Sequence, residues 1–234
     1  MKFYNIYYSY ILFNKIISSS SFIDKNNLKC NSDKEPINSM CYGCPPMFNG
    51  KPCASTTRYY DIVKGACGCS VPPYYRENPI NTWWTFTQYT AALNCANNNP
   101  LNPSLSWCPL NCGQCYKLCT TGGNINNDIL VKPNICKIFK ITNNCADGYP
   151  YEPTKYQNDW CSQNISFLEC LNNPYKCQSK GYTNMYGYPA HFDLMDLHNQ
   201  ITNLGWDNPE VTFEQISCLN FIGPIWNCQC NQYT

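Results

Sequence analysis

Nineteen cysteines are spread over the 234 residues of the chain, from Cys30 to Cys230. A reducing cytosol does not support that density of thiols, so we predict a disulfide-stapled protein that folds in an oxidising compartment and is secreted. Because nineteen is odd, at most nine disulfides form and one cysteine is free or pairs between molecules. Spacing alone leaves the connectivity open.

Two Cys-x-x-Cys pairs, Cys41 with Cys44 and Cys112 with Cys115, also allow a zinc or a redox interpretation. Zinc sites use such pairs as half-sites, and thioredoxin-like proteins place one beside a βαβ unit. Neither pair lies at a predicted junction of a strand and a helix. We therefore predict disulfides at these cysteines and no metal.

The chain divides into three predicted parts. Residues 1–22 begin with Met1 and Lys2, continue through an apolar and aromatic run and end in serines, which is typical of a signal peptide. Residues 23–49 are a polar arm that contains cysteines, and residues 50–234 form a single folded domain. No other stretch approaches the length of apolar sequence that crosses a membrane.

Charge narrows the class of ligand. The net charge is +1 and only 13% of the residues are charged, whereas a nucleic-acid-binding protein needs clustered lysines and arginines to neutralise phosphates. We predict a neutral ligand, no nucleic-acid partner, no membrane contact after removal of the signal peptide, and a monomer.

A run of β-favouring residues, Ser55–Asp61, ends in a carboxylate and then enters a loop that contains glycine and cysteine. Side chains alternate along a strand, so Thr57, Tyr59 and Asp61 share one face. That face offers a hydroxyl, an aromatic ring and an acid. This combination suits a pyranose, which has hydroxyls at its rim and an apolar ring face.

His191 and Asp193 share one face of a second predicted strand, while Phe192 and Leu194 face a core on the other side. An apolar wall beside a carboxyl disfavours its ionised form, as a general acid requires. The two strands thus predict a pair of carboxylates, Asp61 and Asp193, on either side of a cleft.

The remaining elements follow from local pattern. Asn81 is predicted to cap a helix from Thr82 to about Cys95, because apolar residues recur there at steps of three and four. A long loop, residues 143–186, is predicted to be fixed by its cysteines. The other predicted strands are Cys115–Thr121 and Cys136–Thr142, with a turn at Gly122-Gly123 after the first of them, then Pro189–Leu194 and Val211–Ser217.

Several segments in addition to the Ser55–Asp61 strand resemble glycoside hydrolase family 45, in its animal, mollusc-type branch. The resemblance extends from about Cys41 to the C-terminus. The segments that carry it are Cys112–Leu118, Thr120–Gly123, Ile141–Asn143, Asn158–Cys161, His191–Leu194, Gly205-Trp206 with Asn208–Glu210, and Cys228–Cys230.

The resemblance implies an all-β fold, a six-stranded double-psi β-barrel with long disulfide-stapled loops and one or a few short helices. It implies a secreted endo-β-1,4-glucanase, a cellulase that hydrolyses internal bonds of a β-1,4-glucan and inverts the anomeric carbon, with no cofactor and no metal. The preferred glucan stays open. The extra N-terminal cysteines and the longer loop after Cys145 depart from the family pattern, so the disulfide pattern is not carried over from it.

Roles carry over only to matching positions. Asp61 matches the general base and Asp193 the general acid, with His191 in a supporting position. Asn143 matches an asparagine that assists the base or holds the water, although a turn residue that closes a strand is an equal alternative. The expected sugar-binding residues are Thr57, Tyr59, Trp160 and Trp206.

A rival interpretation is a non-hydrolytic carbohydrate-binding or wall-loosening protein of the expansin and barwin type. Expansins resemble family 45 in fold and keep segments like His191–Asp193, but they lack an acid at the position of Asp61. The presence of that acid favours the hydrolase. A third interpretation, a disulfide-rich structural or egg-coat protein, predicts that no sugar is released.

Overall fold

The computed structural model describes residues 30, 36–60, 67, 89–94, 111–145, 160–161, 170, 172–173, 177 and 183–221. Within this part of the chain lie seven strands and two 3₁₀ turns, Thr202–Leu204 and Cys218–Asn220. The strands are β1 (Met47–Phe48), β2 (Lys51–Tyr59), β3 (Thr90–Asn94), β4 (Cys115–Asn124), β5 (Cys136–Cys145), β6 (His191–Met195) and β7 (Pro209–Ile216). In the same residues no helix combines the length and the apolar character that crossing a membrane needs.

Six of the strands close into a barrel. Their order is β2-β6-β3-β5-β4-β7, and β7 pairs back onto β2, while β1 is attached outside as a short partner of β2. The pairs β2/β6 and β3/β5 are parallel, and the other barrel pairs are antiparallel. The predicted closed six-stranded architecture is confirmed. Closure leaves none of these strands as an open sheet edge.

The barrel interior is filled by apolar side chains from all six barrel strands. They include Leu118, Phe139, Phe192 and Leu194, which are fully buried. Trp206 belongs to this core: it is 1% exposed, and its ring centroid lies 5.9 Å from that of Phe139. The predicted sugar-binding role of Trp206 is therefore wrong, because its ring faces are covered by protein.

The segment predicted as the end of a helix is strand β3. Its alternate residues Ala91 and Leu93 pack in the core, and all five residues of the strand are buried. A strand covered on both faces shows no two-residue alternation, so the apolar steps of three and four misled the prediction. The earlier residues of the predicted helix, 82–88, lie outside the described part of the chain.

Gly122 and Gly123 continue β4 instead of forming the predicted turn. A Cβ on Gly123 would lie 2.6 Å from the Asn38 carbonyl oxygen and 2.7 Å from Glu210 Oε2. Gly123 is thus where the N-terminal arm crosses the barrel, and Asn38 bridges to Asn124 there. Gly123 therefore marks a close approach of two backbones.

Seven disulfides lie among the described residues, and both Cys-x-x-Cys pairs contribute to them as predicted. Each member of these pairs bonds to a more distant cysteine. The bonds are Cys30–Cys44, Cys41–Cys53, Cys67–Cys112, Cys115–Cys218, Cys119–Cys136, Cys145–Cys161 and Cys170–Cys177. The other five cysteines, Cys69, Cys95, Cys108, Cys228 and Cys230, lie outside the described residues.

Candidate active site

The two faces of strand β2 have different tasks. On one face Thr56 donates to the Pro209 carbonyl at 2.6 Å, and Arg58 donates to Asp207 at 2.7 Å and to Thr202 at 2.8 Å. These bonds fix β2 to strand β7 and to the segment that precedes β7. The other face, with Thr57 and Tyr59, is left for the site.

Strand β6 runs parallel to β2 and places its polar residues beside that face. Ser55 pairs with His191, and Thr57 pairs with Asp193. Phe192 is fully buried in the core on the opposite side of β6, as predicted. The strand therefore carries a polar face and a core face, and the polar face meets the Thr57 side of β2.

A chain of hydrogen bonds connects these side chains. The Thr57 hydroxyl donates to Asp193 Oδ1 at 2.6 Å and lies 2.9 Å from His191 Nε2. His191 Nδ1 lies 2.8 Å from Ser55 Oγ, which accepts a bond from Asn184 Nδ2 at 2.7 Å. His191 is fully buried, while Thr57 and Asp193, at one end of this series of hydrogen bonds, are partly exposed.

The number of available protons fixes the direction of donation along this row of hydrogen bonds. Thr57 has a single hydroxyl proton and gives it to Asp193, so His191 must donate its Nε2 proton to Thr57. A neutral imidazole then accepts at Nδ1 from the Ser55 hydroxyl. Burial lowers the pKa of His191 to about 3, which agrees with a neutral ring. All the donors point towards Asp193.

Asn143 lies in the same row across the sheet as Asp193. Asp193 pairs with Ala92 on β3, and Ala92 pairs with Asn143 on β5, so the backbones of the two polar residues are two strands apart, or about 10 Å. A register shift in β5 skips Thr142. Without this bulge Asn143 would share the face of Ile141, which is in the core.

Trp160 and Tyr59 border this row. Both are partly buried and pack against Ala92 together with the Cys145–Cys161 disulfide. The Trp160 ring centroid lies 4.7 Å from that of Tyr186 and 5.4 Å from that of His191. The aromatic residues thus form a partly exposed cover over the histidine.

Known proteins share both the sequence and the barrel. A family model described as EXPB1-like domain 1 matches residues 54–223. An endoglucanase from the mussel Mytilus edulis is 37% identical over 182 residues, which are 77% of this chain and 87% of that protein. Endoglucanase-5 from Hypocrea jecorina is 30% identical over 190 residues, 76% of this chain and 62% of that protein.

Solved structures agree. The β-1,4-D-endoglucanase Cel45A of the blue mussel Mytilus edulis superposes with a TM-score of 0.65 at 35% identity, over 83% of this chain and all of that one. The family 45 endoglucanase EG27II in complex with cellobiose gives a TM-score of 0.62 at 30% identity, over 82% of this chain and 98% of that one. The chain belongs to glycoside hydrolase family 45. Its fold is the family 45 double-psi β-barrel.

The general base expected in family 45, Asp61, lies outside the described residues, because the described stretch that contains β2 ends at Tyr60. The structure brings together the other expected residues Thr57, His191, Asp193 and, across Ala92, Asn143. Of the expected family 45 sugar contacts, only Trp206 is placed elsewhere.

Sequence reasoning missed Ser55 and Asn184, which complete the hydrogen-bond chain behind His191. Ser55 could have been found, because it precedes Thr57 by two residues and so shares its face in a strand. Asn184 gave no such signal, since it lies outside any strand and reaches Ser55 only through the folded chain.

Proposed function

We propose that this protein cleaves a β-1,4-glucan with Asp193 as general acid and Asp61 as general base. As a member of family 45 it is an inverting endo-β-1,4-glucanase, a glycoside hydrolase. The observation that carries the assignment of Asp193 is its partly exposed carboxylate, held by the Thr57 hydroxyl at the end of a buried hydrogen-bond chain.

In the proposed reaction Asp193 protonates the departing glycosidic oxygen. Because Asp193 Oδ1 accepts the Thr57 bond, the transferable proton belongs on Oδ2. Asp61 removes a proton from a water that attacks the opposite face of the sugar through an oxocarbenium-like transition state. An inverting enzyme seats that water between its two carboxyls, about 6.5–9.5 Å apart.

Asn143 is proposed to hold the attacking water or to assist Asp61. The support for this role is its backbone position in the row, two strands from Asp193, since an inverting enzyme holds its water apart from its acid. Tyr59 and Thr57 are the proposed sugar contacts, because they are partly exposed and lie beside Asp193, whereas the Trp160 ring lies against His191 and Tyr186.

The proposed substrate is amorphous cellulose or a related glucan, and the enzyme is proposed to act outside the cell as a monomer. The disulfides fit an extracellular enzyme. Both sequence relatives are named endoglucanases, and neither name describes a non-hydrolytic protein of the expansin type.

The test is release of reducing sugar from a soluble cellulose derivative, lichenan, xylan and mannan by the secreted protein. We expect activity on the cellulose derivative and on lichenan, which both contain β-1,4-glucosidic bonds, and proton NMR of the first product should show the α-anomer before mutarotation. An initial β-anomer would contradict inversion. No sugar from any of the four substrates would favour the non-hydrolytic rival.

A further inference from the structure

Burial lowers the pKa of His191, so its neutral state depends on what keeps water away from the ring. If the imidazole gained a proton, Nε2 would still donate to Thr57, but Nδ1 would donate to the Ser55 oxygen, and the Ser55 hydroxyl proton would lose its acceptor. A positive charge would then lie one hydroxyl away from Asp193, where it favours the ionised carboxylate over the protonated form that a general acid needs. What covers the ring therefore matters to the general acid.

Strands cover the edges of the imidazole. Ser55 and Thr57 on β2 bond its two nitrogens, and Asn94 on β3 accepts the backbone N–H of His191 at 2.9 Å. Among the described residues, the titratable groups near the ring are Asp193, one hydroxyl away through Thr57, and the Tyr186 phenol, whose ring lies against Trp160.

Trp160 covers a face of the imidazole. Its ring is inclined by 37° to that of His191 at a centroid distance of 5.4 Å, close enough to exclude water between them. Tyr186 holds Trp160 at 4.7 Å, and a disulfide anchors the next residue, Cys161, to Cys145. The sulfurs of this disulfide lie within 4.8 Å of an imidazole nitrogen.

We propose that Trp160 is a positioning residue for the general acid: its indole seals His191 from water and so keeps a neutral ring behind the Thr57 hydroxyl that bonds Asp193. This inference rests on the proposed function of Asp193. It assigns Trp160 a task that needs apolar cover, whereas a sugar platform needs an aromatic plane. The two roles call for different substitutions.

The chain is suited to a direct test, since it has only two histidines, His191 and the exposed His198. In ¹⁵N-histidine-labelled protein, NMR should show His191 as the neutral tautomer with its proton on Nε2. The variant H198Q assigns the two sets of signals. In W160A the His191 signals should titrate at a higher pH by about one unit or more.

Activity gives the second readout. In W160A, kcat should fall as the pH is lowered, by up to about tenfold at pH 5.5, where a ring of ordinary pKa is about nine-tenths protonated, while KM changes less. W160L keeps an apolar cover without an aromatic plane, so it should retain the neutral His191 signal and most of kcat. W160F should behave like the wild type.

An unchanged His191 titration in W160A would overturn the proposal. So would a W160L protein that has a normal His191 signal but loses substrate affinity, because that pattern belongs to a sugar platform. If W160A does not fold, W160L alone decides between the two. The NMR readout needs no substrate, so failure of the proposed glucanase function would appear separately, as a wild-type protein that releases no sugar.

Discussion

Two carboxylates in this barrel, Glu210 and Asp193, both lie in segments typical of family 45, yet their surroundings differ. Glu210 is fully buried at the crossing of the N-terminal arm, and it accepts bonds from three segments of the chain. The donors are the Ser39 hydroxyl at 2.6 Å, the Met40 and Cys41 amides at 2.8 and 3.2 Å, the Thr121 hydroxyl at 2.8 Å and the Tyr188 hydroxyl.

Asp193 is partly exposed, and its described partner Thr57 belongs to a chain of donors that ends at the carboxylate. A carboxylate enclosed by donors on both oxygens has no room for a reacting atom and serves to hold segments together. A carboxylate that is partly exposed can still exchange a proton with a ligand. Motif membership alone does not separate the two cases, but burial does.

The largest expected effect is on catalysis at Asp193. The substitution D193N removes the transferable proton and keeps the shape of the side chain, so activity on unactivated glucan should fall by about 10²–10⁴-fold or more. The melting temperature should stay close to the wild-type value, because Thr57 can still donate to the amide oxygen. Reducing-sugar release and calorimetry measure the two quantities, and undiminished turnover in D193N would refute the assignment.

Glu210 should show the opposite pattern. E210Q replaces an acceptor oxygen by an amide group that faces the Met40 or Cys41 amide, so the free energy of unfolding should fall by about 2–4 kcal/mol. Activity per folded molecule should change little. Urea denaturation and an active-fraction assay test this, with Y188F as a milder variant that removes one donor. A stable E210Q protein without activity would mean that the comparison above is wrong.

Neighbouring threonines on β2 extend the comparison to hydroxyls. T57V removes the donor to Asp193 and the acceptor for His191, so kcat should fall about tenfold, and T57S should restore it. T56V is the matched control: it loses only the bond to the Pro209 carbonyl, which should cost about 1 kcal/mol of stability and leave kcat unchanged. Equal losses of kcat in both variants would remove the distinction between the faces of β2.

Much of this site could be predicted because strands alternate regularly. The face shared by Thr57 and Tyr59, and the division of β6 into His191 and Asp193 against Phe192, required only the two-residue period. The part of the site that could not be predicted from sequence is the part where this two-residue alternation is interrupted. The bulge at Thr142 turns Asn143 away from the core face, and no local pattern announces a bulge.

The remaining wrong predictions concern residues whose structure depends on contacts with parts of the chain that are distant in sequence. Leu93 lies in a strand buried on both sides, so its apolar neighbours fitted a helix as well as a strand. Gly123 was interpreted as a turn, whereas it is needed for the approach of the arm and Glu210. Trp206 is an aromatic residue of the kind that stacks on sugars, but it follows Gly205, whose φ of 71° ends the preceding 3₁₀ turn, and it lies in the core. Its neighbour there, Phe139, is distant in sequence.

The smallest expected effect is a loss of stability at acid pH. It arises from His191, which lies behind Asp193, and not from Glu210. Burial lowers the pKa of His191 to about 3 from 6.5, so the unfolded chain binds a proton that the folded one refuses between these values. This contribution to stability is complete above pH 6.5 and is lost as the pH falls towards 3. At pH 5.5 the loss is about 1.4 kcal/mol.

Urea denaturation of the wild type and of H191Q at pH 7.5, 6.5 and 5.5 isolates this contribution. Other carboxylates titrate in both proteins and cancel in the difference, whereas glutamine gains no proton in this range. The stability gap between wild type and H191Q should therefore narrow as the pH falls, and E210Q should follow the wild-type dependence. A gap that stays constant from pH 7.5 to 5.5 would mean that His191 is not held neutral. The direction of donation from Ser55 to His191 would then lose its physical basis, because a protonated ring donates at both nitrogens.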